Sequence, residues 1–348
     1  MRRLVVAYVI VFTVPFVISL MVTPWVARVA WRWHWVDVPG GRRRHHRVVP
    51  RLGGVAPVLG FLVGVGLPVL FPAHFPPVTD PNQPVWWRGL VVGTFIALVG
   101  GIWDDVRDLS PRQQFAVQGL CAGAAIWGTL FIERVNNPLT GAQIIFPRGV
   151  VWGLTLFWVA GMMNTVNWLD GVDGLVATVT AVFSVVMVLH LVSRHLYSVA
   201  LWPLALLGAV LGFLPYNWPP ARVFLGSAGS YGLGFIMAAL GIAAGAKVAT
   251  VLLVLGLPIA DVAWQIVRRW RLGRSPFVGD RGHFHHRLYD LGWSPQRIVL
   301  LYAGWAAVMG GISLVLSSRL LKLLVLFIVA LAVTALFIWA SRQSTGEG

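Results

Sequence analysis

The sequence has little charge, and it contains a single cysteine. Only 11% of its 348 residues are charged, whereas 57% are hydrophobic and the mean hydropathy is +0.77. This composition excludes an ordinary soluble domain and provides for about ten membrane spans of roughly 20 residues each. The single Cys121 excludes a disulfide framework. The longest polar stretch lies between residues 268 and 297, which is too short for a soluble domain. We therefore expect one membrane domain over residues 1–340 and a short polar tail over 341–348.

Long apolar runs recur along the whole chain. Because backbone polar groups cannot stay unpaired in lipid, each run is expected to be a helix, and the fold class all-α, a polytopic transmembrane bundle. About eleven spans are predicted, ten being the alternative, over residues 4–29, 53–72, 88–103, 113–133, 149–166, 174–192, 198–215, 230–246, 248–267, 297–316 and 322–340. The first run is too long for a secretory signal, and we interpret it as a retained span.

The charges are divided unequally between the two sides of the predicted bundle. With the amino terminus outside, one side receives 18 of the 27 Lys and Arg residues, so we predict that this side is cytoplasmic and that the membrane is the plasma membrane. The net charge of +15 would suggest nucleic acid in a soluble protein. Here the basic residues lie between apolar spans, so we expect membrane lipids and anionic substrates as partners, and no nucleic acid. The same side receives nine of the twelve acidic residues, which topology alone does not require.

The first acidic cluster follows the third apolar run and contains Asp104, Asp105 and Asp108. If this segment is helical, Asp104 and Asp108 share a face and Asp105 points about 100° away. Adjacent carboxylates at a membrane boundary suit a Mg²⁺ site or a general base. A solvated helix end, with Arg107 and Arg112 as ionic partners, is the alternative.

The second cluster places two amides and two carboxylates at every third residue, at Asn164, Asn167, Asp170 and Asp173. Hard oxygen ligands at this spacing can converge on a divalent ion or on the hydroxyls of a sugar. A capping turn is the alternative, because Asn, Asp and Gly are common at helix ends.

The third cluster is a basic segment that contains Arg281, His283, His285, His286 and Arg287. Arginine offers bidentate geometry to phosphate, and histidine can donate to phosphate or sugar oxygens. Three histidines could instead bind Zn²⁺, although no cysteine or acidic partner stands at ligand spacing. Anionic lipid head groups are a further alternative for the arginines.

The loop between the first two runs is also basic and contains His45 and Arg51. It could hold a lipid phosphate at the membrane surface, or it could be a loop that only sets the orientation of the spans. Together the four segments place carboxylates, amides and cations on one face of a membrane bundle. This combination suits phosphoryl transfer from a water-soluble donor to a membrane-bound acceptor. A transporter is the rival, but it would place polar groups near mid-membrane.

These segments resemble the polyprenyl-phosphate N-acetylhexosaminyl-1-phosphate transferases. That family carries DDxxD, NxxNxxDGxDGL and HxHHR segments in this order. The residues of these motifs in this sequence are similar to those of its WecA/TagO branch. The resemblance implies transfer of N-acetylglucosamine 1-phosphate from a UDP-N-acetylhexosamine, UDP-GlcNAc, to polyprenyl phosphate, with undecaprenyl phosphate as the expected lipid. It implies UMP as the second product, Mg²⁺ or alternatively Mn²⁺ as cofactor, and a homodimer.

The resemblance also implies roles for individual residues. Catalytic roles fall on Asp104, Asp105 and Asp173; metal coordination falls on Asn167 and Asp170; and substrate binding falls on His45, Arg51, Asp108, Asn164, Arg281, His283, His285, His286 and Arg287.

Two positions depart from this simple assignment. The family usually has a G-D-x-G-S segment whose Asp binds metal, and here Ser227 takes the place of that Asp. We expect weaker metal binding, or an impaired member of the family that only binds lipid phosphate or nucleotide. Asp261 lies inside the ninth run, so it either supports the site or pairs with a neighbouring helix.

Overall fold

The computed structural model describes residues 2–38, 47–137, 140, 142–243, 248–273, 282–316 and 318–343. Within these residues the helices are α1 Arg2–Arg32, α2 Val55–Leu70, α3 Gln83–Arg107, α4 Pro111–Trp127, α5 Arg148–Leu169, α6 Leu175–Ser193, α7 Tyr197–Asn217, α8 Gly226–Ala243, α9 Val248–Val254, α10 Gly256–Arg271, α11 Phe284–Asp290, α12 Pro295–Val315 and α13 Arg319–Gln343. Two short antiparallel hairpins, β1 Val36–Asp37 with β2 Val49–Pro50 and β3 Arg134–Asn136 with β4 Gln143–Ile145, and a 3-10 turn at Pro72–His74 complete the described elements. The helix α13 runs three residues into the predicted tail, and residues 344–348 of that tail lie outside the described residues.

The predicted all-α membrane bundle is confirmed. Every predicted apolar run coincides with a described helix or, for residues 248–267, with the pair α9 and α10. Seven of the described helices are long and apolar enough to cross a membrane, or eight if this pair counts as one span. Two shorter apolar stretches, Val55–Leu70 and Leu320–Ala335, correspond to two further runs, so this count is roughly compatible with about eleven runs. The chain is a multi-pass membrane protein.

The ninth predicted run is bent rather than straight. Its two halves, α9 and α10, meet at 82°. Pro258 lies in the first turn of α10, where it has no N–H to donate to the carbonyl of Val254. A continuous helix would also bring the proline ring against that carbonyl, so the chain bends between Val254 and Gly256.

The helix α8 lies at the centre of the bundle. Every residue from Ala228 to Ala243 is buried, and α8 packs against both α3 and α5. Its first turn lies so close to α3 that a Cβ atom on Gly101 would overlap the backbone of Ser227 and Ala228. A Cβ atom on Gly54 would likewise overlap Gly229. Glycine at these positions therefore allows two helices to contact the N-terminus of α8 directly.

Several segments that connect helices meet at the end of the bundle where α8 begins. The N–H groups of Gly53 and Gly54 donate to the carbonyls of Phe224 and Leu225, at 2.9 and 2.8 Å. The side chain of Gln296, at the start of α12, donates to the carbonyl of Pro219 at 3.1 Å. These bonds join the first loop, the α7–α8 connection and the start of α12 at one end of the molecule.

Candidate active site

The C-terminal end of α3 brings Asp105 to the first turn of α8. The N–H groups of Ser227 and Ala228 donate to the two carboxylate oxygens of Asp105, at 2.8 and 2.9 Å. The first N–H groups of a helix have no intrahelical acceptor and lie at its positive end, so a carboxylate is a favourable partner for them. A Cβ atom on Gly226 would lie 2.7 Å from Asp105 Oδ2, which means that only glycine allows this approach.

The neighbouring Asp104 is also buried, and it has more hydrogen-bond donors. Its Oδ1 accepts from the N–H of Leu109 at 2.9 Å and from Gln114 Nε2 at 3.1 Å. Its Oδ2 accepts from the hydroxyls of Ser227 at 2.6 Å and Tyr231 at 3.2 Å. Asp104 therefore connects α3 to both α4 and α8.

Asp108 lies apart from this pair. The helix α3 ends at Arg107, and Asp108 has a left-handed backbone conformation with φ 47°. Its side chain is 91% exposed, whereas Asp104 is buried. The expectation that Asp104 and Asp108 share a helical face is wrong, because the helix ends one residue too early. Instead, Arg51 lies between Asp37, at 2.8 Å, and Asp108, at 3.6 Å.

The second motif follows the end of α5 and turns into α6. The amides of Asn164 and Gln118 form two reciprocal hydrogen bonds, at 2.9 and 3.1 Å, which join α5 to α4. Asn167 Oδ1 accepts from the hydroxyl of Ser230 on α8 at 2.8 Å. Asp173 Oδ2 accepts from the N–H of Ala221 at 2.9 Å. The motif is thus bonded to α4, to α8 and to the segment before α8.

Asp170 joins the first two motifs electrostatically. It follows the last residue of α5, and the N–H of Gly226 donates to its carboxylate. Burial, together with the negative charges of Asp105 and Asp173, raises the pKa of Asp170 well above its usual range. Three carboxylates from two motifs therefore lie near one another beside the N-terminus of α8.

The third motif is held by a carboxylate within α10. Asp261 accepts from the N–H of Phe284 at 2.9 Å, and its Oδ2 lies 3.2 Å from His283 Nδ1. The carbonyl of Gly282 accepts from Gln265 Nε2 and from Arg287 Nε. These contacts fix the start of α11 against the buried side of α10.

The second and third motifs are in contact. A Cβ atom on Gly171 would lie 2.6 Å from His285 Nε2 and 2.9 Å from His286 Cε1. Trp168 lies beside His283, with ring centroids 5.7 Å apart, and the guanidinium of Arg269 lies over Trp168 at 5.7 Å. Burial, together with the charges of His286 and His283, lowers the pKa of His285 well below its usual range, so this ring is neutral at pH 7.

The structure brings most of the predicted site residues to one end of the bundle. Two of them, His45 and Arg281, lie outside the described residues. Within the described part of the chain, no group of three His, Cys, Asp or Glu side chains is arranged to hold a metal ion by itself.

Several polar partners of these residues were not predicted from the sequence. They are Gln114, Gln118, Trp168, Asn217, Ser230, Tyr231 and Gln265. Asn217 is an example: its side chain accepts from the N–H of Gly174, which has φ 73°, and donates to the carbonyl of Val223. The available signal was an isolated amide inside or next to an apolar run, which is costly in a membrane unless it has a partner.

Comparison with known proteins agrees with the motifs. Residues 87–245 match the model of Glycosyl transferase family 4. A probable undecaprenyl-phosphate N-acetylglucosaminyl 1-phosphate transferase of Bacillus subtilis is 31% identical over 339 residues, covering 94% of this chain and 89% of the relative. A decaprenyl-phosphate N-acetylglucosaminephosphotransferase of Mycolicibacterium smegmatis is 31% identical, covering 84% and 78%. An undecaprenyl-phosphate alpha-N-acetylglucosaminyl 1-phosphate transferase of Yersinia pestis is 29% identical, covering 80% and 76%. The resemblance predicted from the motifs is confirmed, and the chain belongs to the polyprenyl-phosphate N-acetylhexosaminyl-1-phosphate transferases.

Proposed function

We propose that this protein transfers N-acetylglucosamine 1-phosphate from UDP-GlcNAc to a polyprenyl phosphate, with undecaprenyl phosphate as the expected acceptor. The products are polyprenyl-diphosphate-N-acetylglucosamine and UMP. The observation that carries the proposal is the convergence of Asp105, Asp170 and Asp173 beside the N-terminus of α8. The histidine-rich start of α11 lies against Gly171, in the turn that carries Asp170 and Asp173. The names of the relatives support the same reaction.

The reaction requires positioning more than covalent chemistry by the protein. An oxygen of the acceptor phosphate attacks the phosphorus that carries the sugar, and the bond from this phosphorus to the oxygen of the UMP phosphate breaks. The electron pair of that bond leaves with UMP. Because the second pKa of a phosphate monoester is about 6, the acceptor is mostly dianionic at neutral pH and needs little help from a general base. Alignment and charge stabilisation are the tasks left to the site.

The carboxylates of the acidic cluster are suited to binding the predicted Mg²⁺. This ion is usually held by one or two carboxylates together with substrate phosphates, so a complete protein cage is not required. Asp170 and Asp105 would hold it, with the amide oxygen of Asn167 as a further ligand. A divalent cation would stabilise the ionised form of Asp170, whose pKa is raised by burial and by the charges of Asp105 and Asp173. Bound there, it would neutralise charge on the diphosphate.

The residues of the third motif are suited to binding the donor. His283 and Arg287 lie at the start of a short helix that Asp261 and Gln265 fix to α10. Histidine and arginine donors suit the diphosphate and the sugar oxygens of a UDP-sugar. The contact between Gly171 and His285 keeps this motif next to the acidic cluster, where the bond to phosphorus would break.

The arrangement disfavours a transporter. The bent pair α9 and α10 is an interrupted helix, which transporters also have. Transporters place their polar groups near mid-membrane, whereas Asp105, Asp170 and Asp173 lie where α3 and α5 end and α8 begins. The same end receives most of the basic residues of the sequence, and we propose that it faces the cytoplasm.

The test is an assay of purified protein with undecaprenyl phosphate, Mg²⁺ and a panel of UDP-N-acetylhexosamines. We expect metal-dependent release of UMP from UDP-GlcNAc and a lipid product heavier by one N-acetylglucosamine phosphate. Asp105→Asn is the matched control, because it removes one charge at nearly constant size. Absence of a lipid-linked product with every donor would refute the proposed reaction, and binding of UDP-GlcNAc in that case would indicate an impaired member of the family.

A further inference from the structure

The two adjacent aspartates at the end of α3 are bound very differently. An ionised carboxylate has about four sites for hydrogen bonds, two on each oxygen. Within the described residues Asp104 accepts four: from the N–H of Leu109, from Gln114 Nε2, from Ser227 Oγ and from Tyr231 Oη. These donors fill the acceptor capacity of Asp104.

Asp105 retains part of its capacity to accept hydrogen bonds or bind a ligand. In the described part of the chain it accepts one hydrogen bond on each oxygen, both from backbone N–H groups of α8. Gly226 also brings Asp105 near Asp170: a Cβ atom on Gly226 would lie 2.7 Å from Asp105 Oδ2, and the N–H of Gly226 donates to the carboxylate of Asp170. Asp105 is therefore the member of the pair that can accept a further ligand and that belongs to the acidic cluster.

Ser227 connects the two aspartates. Its backbone N–H donates to Asp105 at 2.8 Å, while its hydroxyl donates to Asp104 at 2.6 Å. Because the N–H is present whatever the side chain, only the bond to Asp104 depends on the hydroxyl. The bonds of Asp104 to Gln114 and Tyr231 extend this connection to α4 and to the second turn of α8.

We infer that Asp104 is a positioning residue, held by the hydroxyl of Ser227, and that Asp105 is the one aspartate of the pair that contacts the metal ion or the substrate. Asp104 ties the end of α3 to α4 and α8 and thereby fixes the place of Asp105. Ser227 serves as a partner of Asp104 in this chain and not as a ligand of the metal. The inference rests on the proposed function, since it divides the roles within that site.

The experiment compares two readouts across four variants: Asp104→Asn, Asp105→Asn, Ser227→Ala and Tyr231→Phe. The first readout is turnover, with kcat and KM determined separately for UDP-GlcNAc and for the lipid. The second is direct binding of Mn²⁺ to the protein without substrates, followed by electron paramagnetic resonance. Ser184→Ala is the control, because it removes a buried hydroxyl that donates to Thr180 within α6, away from the site.

For a positioning residue we expect a loss in kcat without a loss in metal affinity. Asp104→Asn and Ser227→Ala should each lower kcat roughly ten- to hundredfold, the scale of a small misplacement of reacting groups. The KM values and the Mn²⁺ affinity should stay within about twofold of wild type. Combining the two substitutions should cost little more than either alone, since both weaken the same contact between Ser227 and residue 104. Ser227→Thr, which retains a hydroxyl, should recover most of the kcat lost in Ser227→Ala.

Asp105→Asn should instead weaken Mn²⁺ binding at least tenfold, because it removes a charged ligand. If Asp104→Asn weakens Mn²⁺ binding as much as Asp105→Asn does, Asp104 is a ligand and the inference is wrong. Unchanged kcat in both Ser227→Ala and Tyr231→Phe would also overturn it, and these two variants decide the matter if Asp104→Asn does not fold. Failure of the wild-type protein to make product would refute the proposed function, whereas the Mn²⁺ comparison does not depend on turnover.

Discussion

Asp105, Asp170 and Asp173 bring three carboxylates close to one another, and at the scale of single residues their mutual repulsion when ionised has to be offset. The N–H groups of Gly226, Ser227, Ala228 and Ala221 offset part of it by donating to these carboxylates. Backbone dipoles at a helix N-terminus carry only partial charges, so a site of this kind remains selective for cations. We therefore expect the carboxylate charges, rather than the shape of the side chains, to determine activity.

The first prediction is that Asp105→Asn and Asp173→Asn each lower kcat by about two to three decades, the usual cost of removing a group that stabilises the transition state electrostatically. Both variants should fold, because Asn can still accept the backbone hydrogen bonds from Ser227 and Ala221. The measurement is UMP release, with a thermal melt of each purified variant as the folding control. Near-normal turnover in both would mean that the two motifs are only helix ends.

The second prediction concerns Ser227, at the position where the family resemblance implies an aspartate. In Ser227→Asp a new carboxylate replaces the hydroxyl that lies 2.6 Å from Asp104 Oδ2. The added charge should lower the Mg²⁺ concentration for half-maximal activity by about one to two decades, on the order of 1–3 kcal/mol. Repulsion between the new carboxylate and Asp104 should lower the melting temperature of the variant in the absence of Mg²⁺. A metal titration of both proteins checks this, and an unchanged or raised half-maximal concentration would favour a rearranged site without a missing ligand.

At this scale the charged residues of the site were predictable from the sequence, but their hydrogen-bond partners were not. The spacing of Asn164, Asn167, Asp170 and Asp173 predicted a polar cluster at a helix end, which the structure contains. It could not reveal that Asn164 pairs with Gln118, 46 residues earlier, because such a contact depends on how α4 and α5 pack. The different hydrogen bonding of Asp104 and Asp105 likewise depends on the position of α8.

At the scale of helices, the apolar runs were predictable because hydropathy alone decides which segments can span lipid. The bend between α9 and α10 was not predicted, although Gly256 and Pro258 are both visible in the sequence. An apolar run of sufficient length gives no sign of a change in direction. The bend matters for the site, because α10 carries Asp261 and Gln265, which hold the start of α11.

The third prediction belongs to α11. Arg287→Ala should raise the KM for UDP-GlcNAc by at least tenfold and change the KM for the lipid much less, because we assign this helix to the donor. Arg148→Ala is the matched control, since Arg148 is exposed at the start of α5, at the opposite end of the bundle. Kinetics with each substrate varied in turn give both constants. Equal losses for the two substrates, or none, would remove the assignment of α11 to the donor.

At the scale of the whole molecule, the site lies at one end of the bundle because successive helices run in alternating directions. The ends of α1, α3, α5 and α7 and the starts of α2, α4, α6 and α8 meet at one end, where bonds such as Gly53 to Phe224 join them. Ten of the 27 Lys and Arg residues lie in or beside the segments that connect these helix ends. Seven more lie between residues 268 and 297, a segment that ends at the start of α12, where Gln296 bonds to Pro219. The basic residues and the candidate site therefore lie at one end of the bundle, which we propose faces the cytoplasm.

The last prediction tests this orientation with single cysteines. The native Cys121 is buried and can be replaced in a Cys121→Ala background. Arg112, exposed at the start of α4, marks the end with the site, and Ala73, exposed between α2 and α3, marks the opposite end. In intact cells an impermeant thiol reagent should label Ala73→Cys and leave Arg112→Cys unmodified. Both should react after the cells are broken open, which controls for a cysteine that is simply inaccessible. Labelling of Arg112→Cys from outside, with Ala73→Cys protected, would reverse the orientation and place the carboxylates where no cytoplasmic UDP-sugar could reach them.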